Sequence, residues 1–154
     1  MLPVSALLAL LAVVALLAAV IAMAWRHGAN ARWFAVWQDE VRAMGLSMTG
    51  GATPDDDPRE VRVTGEIDGR ALRVQPLTNG DASWHVRVEL RLRHGTDEAT
   101  GPLRQALRRL HSDPENQNDG WFAMEVPGRH DRPGQLRRLI DDARQAAGSL
   151  EALE

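Results

Sequence analysis

The side chains with chemistry to offer are few and widely spaced. Five tryptophans stand among 154 residues that include no cysteine, no tyrosine and, on reading the chain through, no lysine. Trp33, Trp37 and Trp84, with Arg87 and Arg91, make the candidate face for a partner or an apolar ligand. Indoles supply broad apolar area with one N–H donor, and guanidinium groups supply a fixed positive fork. The five histidines, His27, His85, His94, His111 and His130, fall in separate stretches, without the close pairing of metal ligands or an H-E-x-x-H.

Asp55-Asp56-Asp57 lies between prolines and reads as a surface turn. The segment DPENQNDG, 113–120, superficially resembles a calcium loop. With Glu115 as its first ligand the bidentate acid should stand twelfth, where the chain has Val126 and places Glu125 one step early. A polar turn is the expectation there. There is no G-x-S-x-G, no P-loop and no G-x-G-x-x-G. Catalysis would need at least two of His85, His130, Asp68 and Glu125 to converge, and their spacing gives no reason for it. The sequence therefore predicts a non-enzymatic chain without catalytic residue, metal or cofactor. Lack of cysteine separately excludes a disulfide framework, thiolate zinc sites and a lipid-modified cysteine.

What must position these residues is a chain in two parts. Mean hydropathy is −0.29, yet Val4 to Ala24 reads VSALLALLAVVALLAAVIAMA, with Ser5 its one polar side chain. As a helix this stretch covers about 30 Å, the hydrocarbon thickness of a bilayer. Trp25 and Arg26 follow, an aromatic and a cation suited to the membrane interface. Residues 1–27 are thus predicted to be a single-pass transmembrane anchor. The alternative is a signal segment cleaved near Ala24, where Ala22-Met23-Ala24 offers an A-x-A site. Against it, Met1-Leu2-Pro3 carries no basic residue, and the apolar run exceeds a usual signal core. Arg26, Arg32 and Arg42 on the carboxyl side predict a cytoplasmic domain. All 18 basic residues being arginine, with abundant alanine, suggests a GC-rich bacterial genome and hence a bacterial inner membrane.

Beyond the anchor the pattern is that of a small α+β domain. Asn30 is read as an N-cap, opening a juxtamembrane helix over 28–46 with Trp33, Val36, Trp37, Val41 and Met44 on one stripe. Residues 47–60 read as an acidic loop. Over 61–150 the expected order is strand, strand, strand, helix, strand, helix, with 151–154 a mobile tail. Val61, Val63, Gly65 and Ile67 alternate up to an Asp68-Gly69 turn, and Leu72 and Val74 alternate away from it. That register sets Val63 against Val74 and Gly65 against Leu72, leaving room at Gly65 for a large side chain from the covering helix. Trp84, Val86, Val88, Leu90 and Leu92 alternate in a third strand. A two-residue turn at Asn79-Gly80 would mismatch the faces, so an odd-length loop or a bulge is expected. A helix with Leu103, Ala106, Leu107 and Leu110, a strand Trp121 to Val126, and a helix from about Pro133 with Leu136, Leu139, Ile140, Ala143, Ala147 and Leu150 complete the set.

The order helix, three strands, helix over 30–111 resembles the double-stranded RNA-binding domain in topology. That resemblance implies a lysine-rich start to the second helix, where this chain has Gly101-Pro102-Leu103-Arg104, and a basic footprint, where the net charge is −3. Nucleic acid is accordingly not the expected partner. The expectation is an α-β-β-β-α-β-α architecture, an antiparallel meander covered on one face by helices behind one transmembrane helix. It would act as a membrane-anchored interaction or accessory protein, touching lipid through 4–24 and a protein partner or second copy through its domain. A lipid or apolar-ligand module between sheet and helices, and a secreted domain after cleavage, are the alternatives.

Overall fold

The computed structural model describes residues 4–53, 55–78, 83–93 and 120–152. The expected helix over 101–111 and all of the polar turn at 113–120 except Gly120 lie outside the described residues, as do Asn79-Gly80, His94 and His111.

One helix, α1, runs unbroken from Val4 to Ala43. The stretches expected as anchor and as juxtamembrane helix are a single element, so Asn30 is not an N-cap but a mid-helix residue. The physical reason is that nothing between Trp25 and Asn30 can stop the ladder. Gly28 alone costs roughly 1 kcal/mol, and no proline intervenes. The helix stops where expected, at Gly45, whose left-handed φ of 71° no bulkier residue adopts cheaply. Leu46 N–H donates to the Val41 carbonyl at 2.9 Å and Gly45 N–H to that of Arg42 at 3.1 Å, which satisfies the last turn.

The two ends of α1 live in different environments. Every large apolar side chain from Leu10 to Met23 is more than half exposed, whereas Trp33 and Trp37 are 0% exposed and Phe34 and Val41 nearly so. Only the second half of the helix belongs to the core.

Five strands form one antiparallel sheet in sequence order: β1 (Ser47–Thr49), β2 (Arg62–Ile67), β3 (Arg70–Thr78), β4 (Trp84–Arg91) and β5 (Trp121–Pro127). The hairpin register is the expected one, with Val63 opposite Val74, Thr64 opposite Arg73 and Gly65 opposite Leu72. Asp68 and Gly69 both take positive φ, 53° and 73°, as a two-residue hairpin turn of the primed type requires. Between β3 and β4 the pair Thr78 and Trp84 closes the ladder, leaving five connecting positions. The odd count keeps Val74 against Val88 and the apolar faces together.

Two corrections concern the stretch after α1. Residues 47–60 are not all loop: Ser47–Thr49 adds a short edge strand to β2, and Pro58–Glu60 is a turn of 3-10 helix. With β1 present, the order from residue 30 is one helix and then four consecutive strands. The double-stranded RNA-binding order of helix and three strands is therefore not what the chain builds. The space opposite Leu72 at Gly65 is filled by Leu46, which follows α1, and not by the helix itself. A Cβ on Gly65 would stand 2.5 Å from Leu46 Cδ2.

The final helix, α2 (Gln135–Glu151), buries Leu136, Leu139, Ile140, Ala143 and Ala147. Together with α1's second half it covers one face of the sheet, where Val61, Val63, Leu72, Val74, Val86, Val88, Leu90 and Phe122 complete the core. At the far end Arg70, 7% exposed, pairs with Glu151, whose other oxygen accepts from the Arg93 N–H at 2.8 Å. The last turn of α2 is thereby tied to the sheet.

Candidate functional site

Four residues of α1 at spacings of three and four, Asn30, Trp33, Trp37 and Glu40, share one helix face. All four bind the segment that links β5 to α2. Trp33 Nε1 donates to the Arg129 carbonyl at 2.8 Å and Trp37 Nε1 to the His130 carbonyl at 2.9 Å. The Asn30 side-chain oxygen accepts from the Arg129 guanidinium. Glu40 accepts from the Gly134 N–H, and with its second oxygen from the Arg137 N–H at 2.9 Å.

This last contact supplies what α2 lacks locally. Its N-cap is Gly134, left-handed at φ 82° and without a side chain to satisfy the open amides. A carboxylate from α1 therefore caps α2 across a long loop. Because capping a helix N-terminus is worth about 0.5–2 kcal/mol, Glu40→Ala is expected to lower stability by that order. Hydrogen exchange should at the same time quicken at the amides of Gly134 and Arg137. Unchanged exchange there would show that the cap does not hold.

Arg129 occupies a particular place at this end. Its guanidinium lies 5.7 Å from the Trp33 ring centroid and 5.2 Å from that of Trp84, which is half-buried at the start of β4. Burial holds Arg129 below its ordinary value; Asp131 offsets this in part, and Arg26 adds to it. Its Nε is buried without a hydrogen-bond partner among the described residues, and so is Nε2 of His130.

The acids of the 55–57 turn are already engaged. Asp55 meets His27 at 3.1 Å, and Asp56 holds the Thr53 hydroxyl at 2.8 Å and its N–H at 3.1 Å. Asp57 caps the 3-10 turn and forks to Arg59. The Arg59 side chain keeps Asp57 below the usual carboxylate range, with a further pull from Arg26. The three aspartates thus turn to three different partners.

The expected site residues divide as follows. Trp25, 79% exposed, and Arg26, exposed beside it, stand at the end of the apolar stretch. Trp33 and Trp37 are core residues with tilted rings 4.5 Å apart, so their partner is the chain's own 129–130 loop. Trp84 is on the helix-covered face, whereas Arg87 and Arg91 are on the opposite one, and no single surface joins all five. Arg87 Nε donates to Glu125 at 2.7 Å, and Arg91 lies 5.8 Å from the Trp121 ring, which also carries Arg73 at 4.2 Å. A shallow groove of about 350 Å³ crosses this outer face, lined by Arg62, Thr64, Arg73, Gln75, Arg87 and Glu89 among others.

Of the four groups weighed for catalysis, His85 and Glu125 share the outer face, bonded to Ser83 and Arg87. Asp68 is at the β2–β3 turn with Arg144, and His130 is in the β5–α2 link. Sequence reasoning missed Asn30, Glu40 and Arg129 as an ensemble. The signal available for two of them was that Asn30 and Glu40 fall on the tryptophan stripe at helical spacing. For Arg129, in a turn between Gly128 and His130, no local signal existed.

Comparison with protein-family models, with curated proteins and with solved structures finds no match.

Proposed function

We propose that this chain is a single-pass protein of a bacterial inner membrane whose α+β domain is held against the cytoplasmic surface as a non-enzymatic interaction or accessory subunit. The observation that carries this reading is the division of α1. Its first half is long and apolar enough to cross a membrane and its described side chains stay out of the core, while its second half brings Trp33, Phe34, Trp37 and Val41 into it. Exposing Leu10 to Met23 to water would forfeit burial worth roughly 1.5–3 kcal/mol for each large side chain, and a bilayer removes that cost.

Cleavage near Ala24 is the alternative, because a signal segment shares the apolar helix that includes Ala22-Met23-Ala24. The ligand-module alternative loses its lining, because Trp33 and Trp37 are closed into the core. The non-enzymatic reading is supported by Asp68 and His130 standing apart from each other and from His85 and Glu125, which share the outer face but are bonded to Ser83 and Arg87. Holding a domain at a membrane raises its effective concentration toward a partner there, whether another protein or a second copy, without demanding strong contacts.

Protease added to intact spheroplasts that express the C-terminally tagged chain tests the reading. Protection with the uncleaved mass is the expected result. Digestion of the tag at that mass would place the domain outside the cytoplasm, and loss of the first 24 residues would replace the anchor with a secreted domain.

A further inference from the structure

We propose that Arg26 and Arg129 together form a phosphate site for the headgroup of an anionic phospholipid, walled on one side by Trp84. The inference rests on residues 4–24 being a membrane span. It begins with position along α1. Arg26 and Asn30 are four residues apart and therefore on the same helix face, the one that continues into Trp33 and Trp37 under the domain. Arg26 is about 3 Å past Ala24 and Asn30 about 9 Å past it along the axis. The polar layer of a bilayer extends roughly 5–8 Å beyond each side of the hydrocarbon. Helical side chains lean toward the N-terminus, so the Asn30 amide, and with it the bound Arg129 guanidinium, is displaced back toward that layer.

Charge sorting points the same way. Asp57 with Arg59 is a matched ion pair at this end, and Asp55 meets the His27 ring. Arg26 and Arg129 make no ion pair among the described residues. Asp131 is exposed and supports Arg129 only through space. One helical turn separates Arg26 from Asn30, to which Arg129 is bonded, so the two cations meet at one place on α1, and a shared anion would offset their repulsion.

The geometry of Arg129 is that of a fork held ready. A guanidinium presents five N–H donors, of which Asn30 is the one side-chain acceptor among the described residues. The Trp33 and Trp84 rings beside it restrict its orientation, which lowers the ordering cost when an oxyanion arrives. A phosphate diester is the anion supplied at that depth by the membrane itself.

The test is native mass spectrometry of the full chain in detergent, with phosphatidylglycerol or phosphatidylcholine added and the retained lipid counted. The wild-type chain should retain phosphatidylglycerol over phosphatidylcholine on the order of tenfold, the scale of one charge-assisted hydrogen bond. Arg129→Gln and Arg26→Gln should each remove most of that preference and leave phosphatidylcholine retention as it was. Arg26 is exposed, so its replacement reads binding without threatening the core. Equal retention of the two lipids, or a preference that survives Arg26→Gln, would overturn the proposal. Displacement of phosphatidylglycerol by millimolar inorganic phosphate would assign the site to a free anion and overturn the lipid. Retention of the chain in membranes after an alkaline carbonate wash reports the span alone. A headgroup site that fails while that retention holds therefore leaves the anchor reading standing.

Discussion

Val14→Arg combined with Leu17→Arg is expected to strip the full chain from the carbonate-washed membrane fraction. Both positions are near the middle of the 4–24 stretch, and both side chains are more than half exposed, at 56% and 61%, so neither packs on the domain. An arginine at the centre of a spanning helix costs roughly 2.5–3.5 kcal/mol, and each replaced apolar residue had contributed a few tenths in the favourable direction. The pair therefore opposes insertion by roughly 6–8 kcal/mol, which moves an insertion equilibrium by several powers of ten. The domain core is untouched, so the released chain should keep its mixed helix and strand circular dichroism. Undiminished recovery in the washed membranes would show that the helix does not span.

Trp37→Ala should produce the largest loss of folding stability. Trp37 is 0% exposed, packs against Trp33 and donates to the His130 carbonyl. Truncating a buried aromatic of this size costs about 3–5 kcal/mol, against total stabilities of roughly 5–15 kcal/mol for ordinary domains. The urea midpoint of the full chain in detergent reads the effect. Trp37→Phe separates its two parts, since it keeps most of the ring area but leaves the His130 carbonyl without its donor, for about 1–3 kcal/mol. Equal midpoints for the wild type and Trp37→Ala would exclude Trp37 as a core support.

The hairpin was readable because two independent signals coincide. Asp68-Gly69 dictates a two-residue turn, and alternation on both sides of it allows one register only. The Asn79-Gly80 stretch was readable for the opposite reason, since its apparent turn conflicts with the alternation and forces an odd connection. Ser47–Thr49 was not readable. Three residues with Met48 as the one apolar side chain carry no periodicity, and the following Gly50-Gly51 outweighs them. Asn30 misled because its intrinsic preference for caps is a local property. Here a partner 99 residues away employs its side chain inside the helix. The same separation hid most of the candidate site. Trp33 and Arg129 are 96 residues apart, and a turn such as 128–134 announces its shape but not what will close over it. The stripe of two tryptophans was legible as a buried face, but the carbonyls it serves were not.

The unbroken course of α1 from Val4 to Ala43 also has a rotational meaning. On the proposed membrane reading, a flexible linker would let the domain swivel about the membrane normal, whereas a shared helix locks the two in phase. Each residue of an α-helix advances about 100° around its axis and 1.5 Å along it. The azimuth at which the sheet faces along the membrane plane is therefore set by the number of residues between lipid and core. Lengthening that interval by one residue would turn the domain by more than a quarter of a circle while lifting it hardly at all. With the first half spanning a bilayer as proposed, the heading of the domain toward a neighbour in that bilayer would be encoded in helix length as firmly as its height.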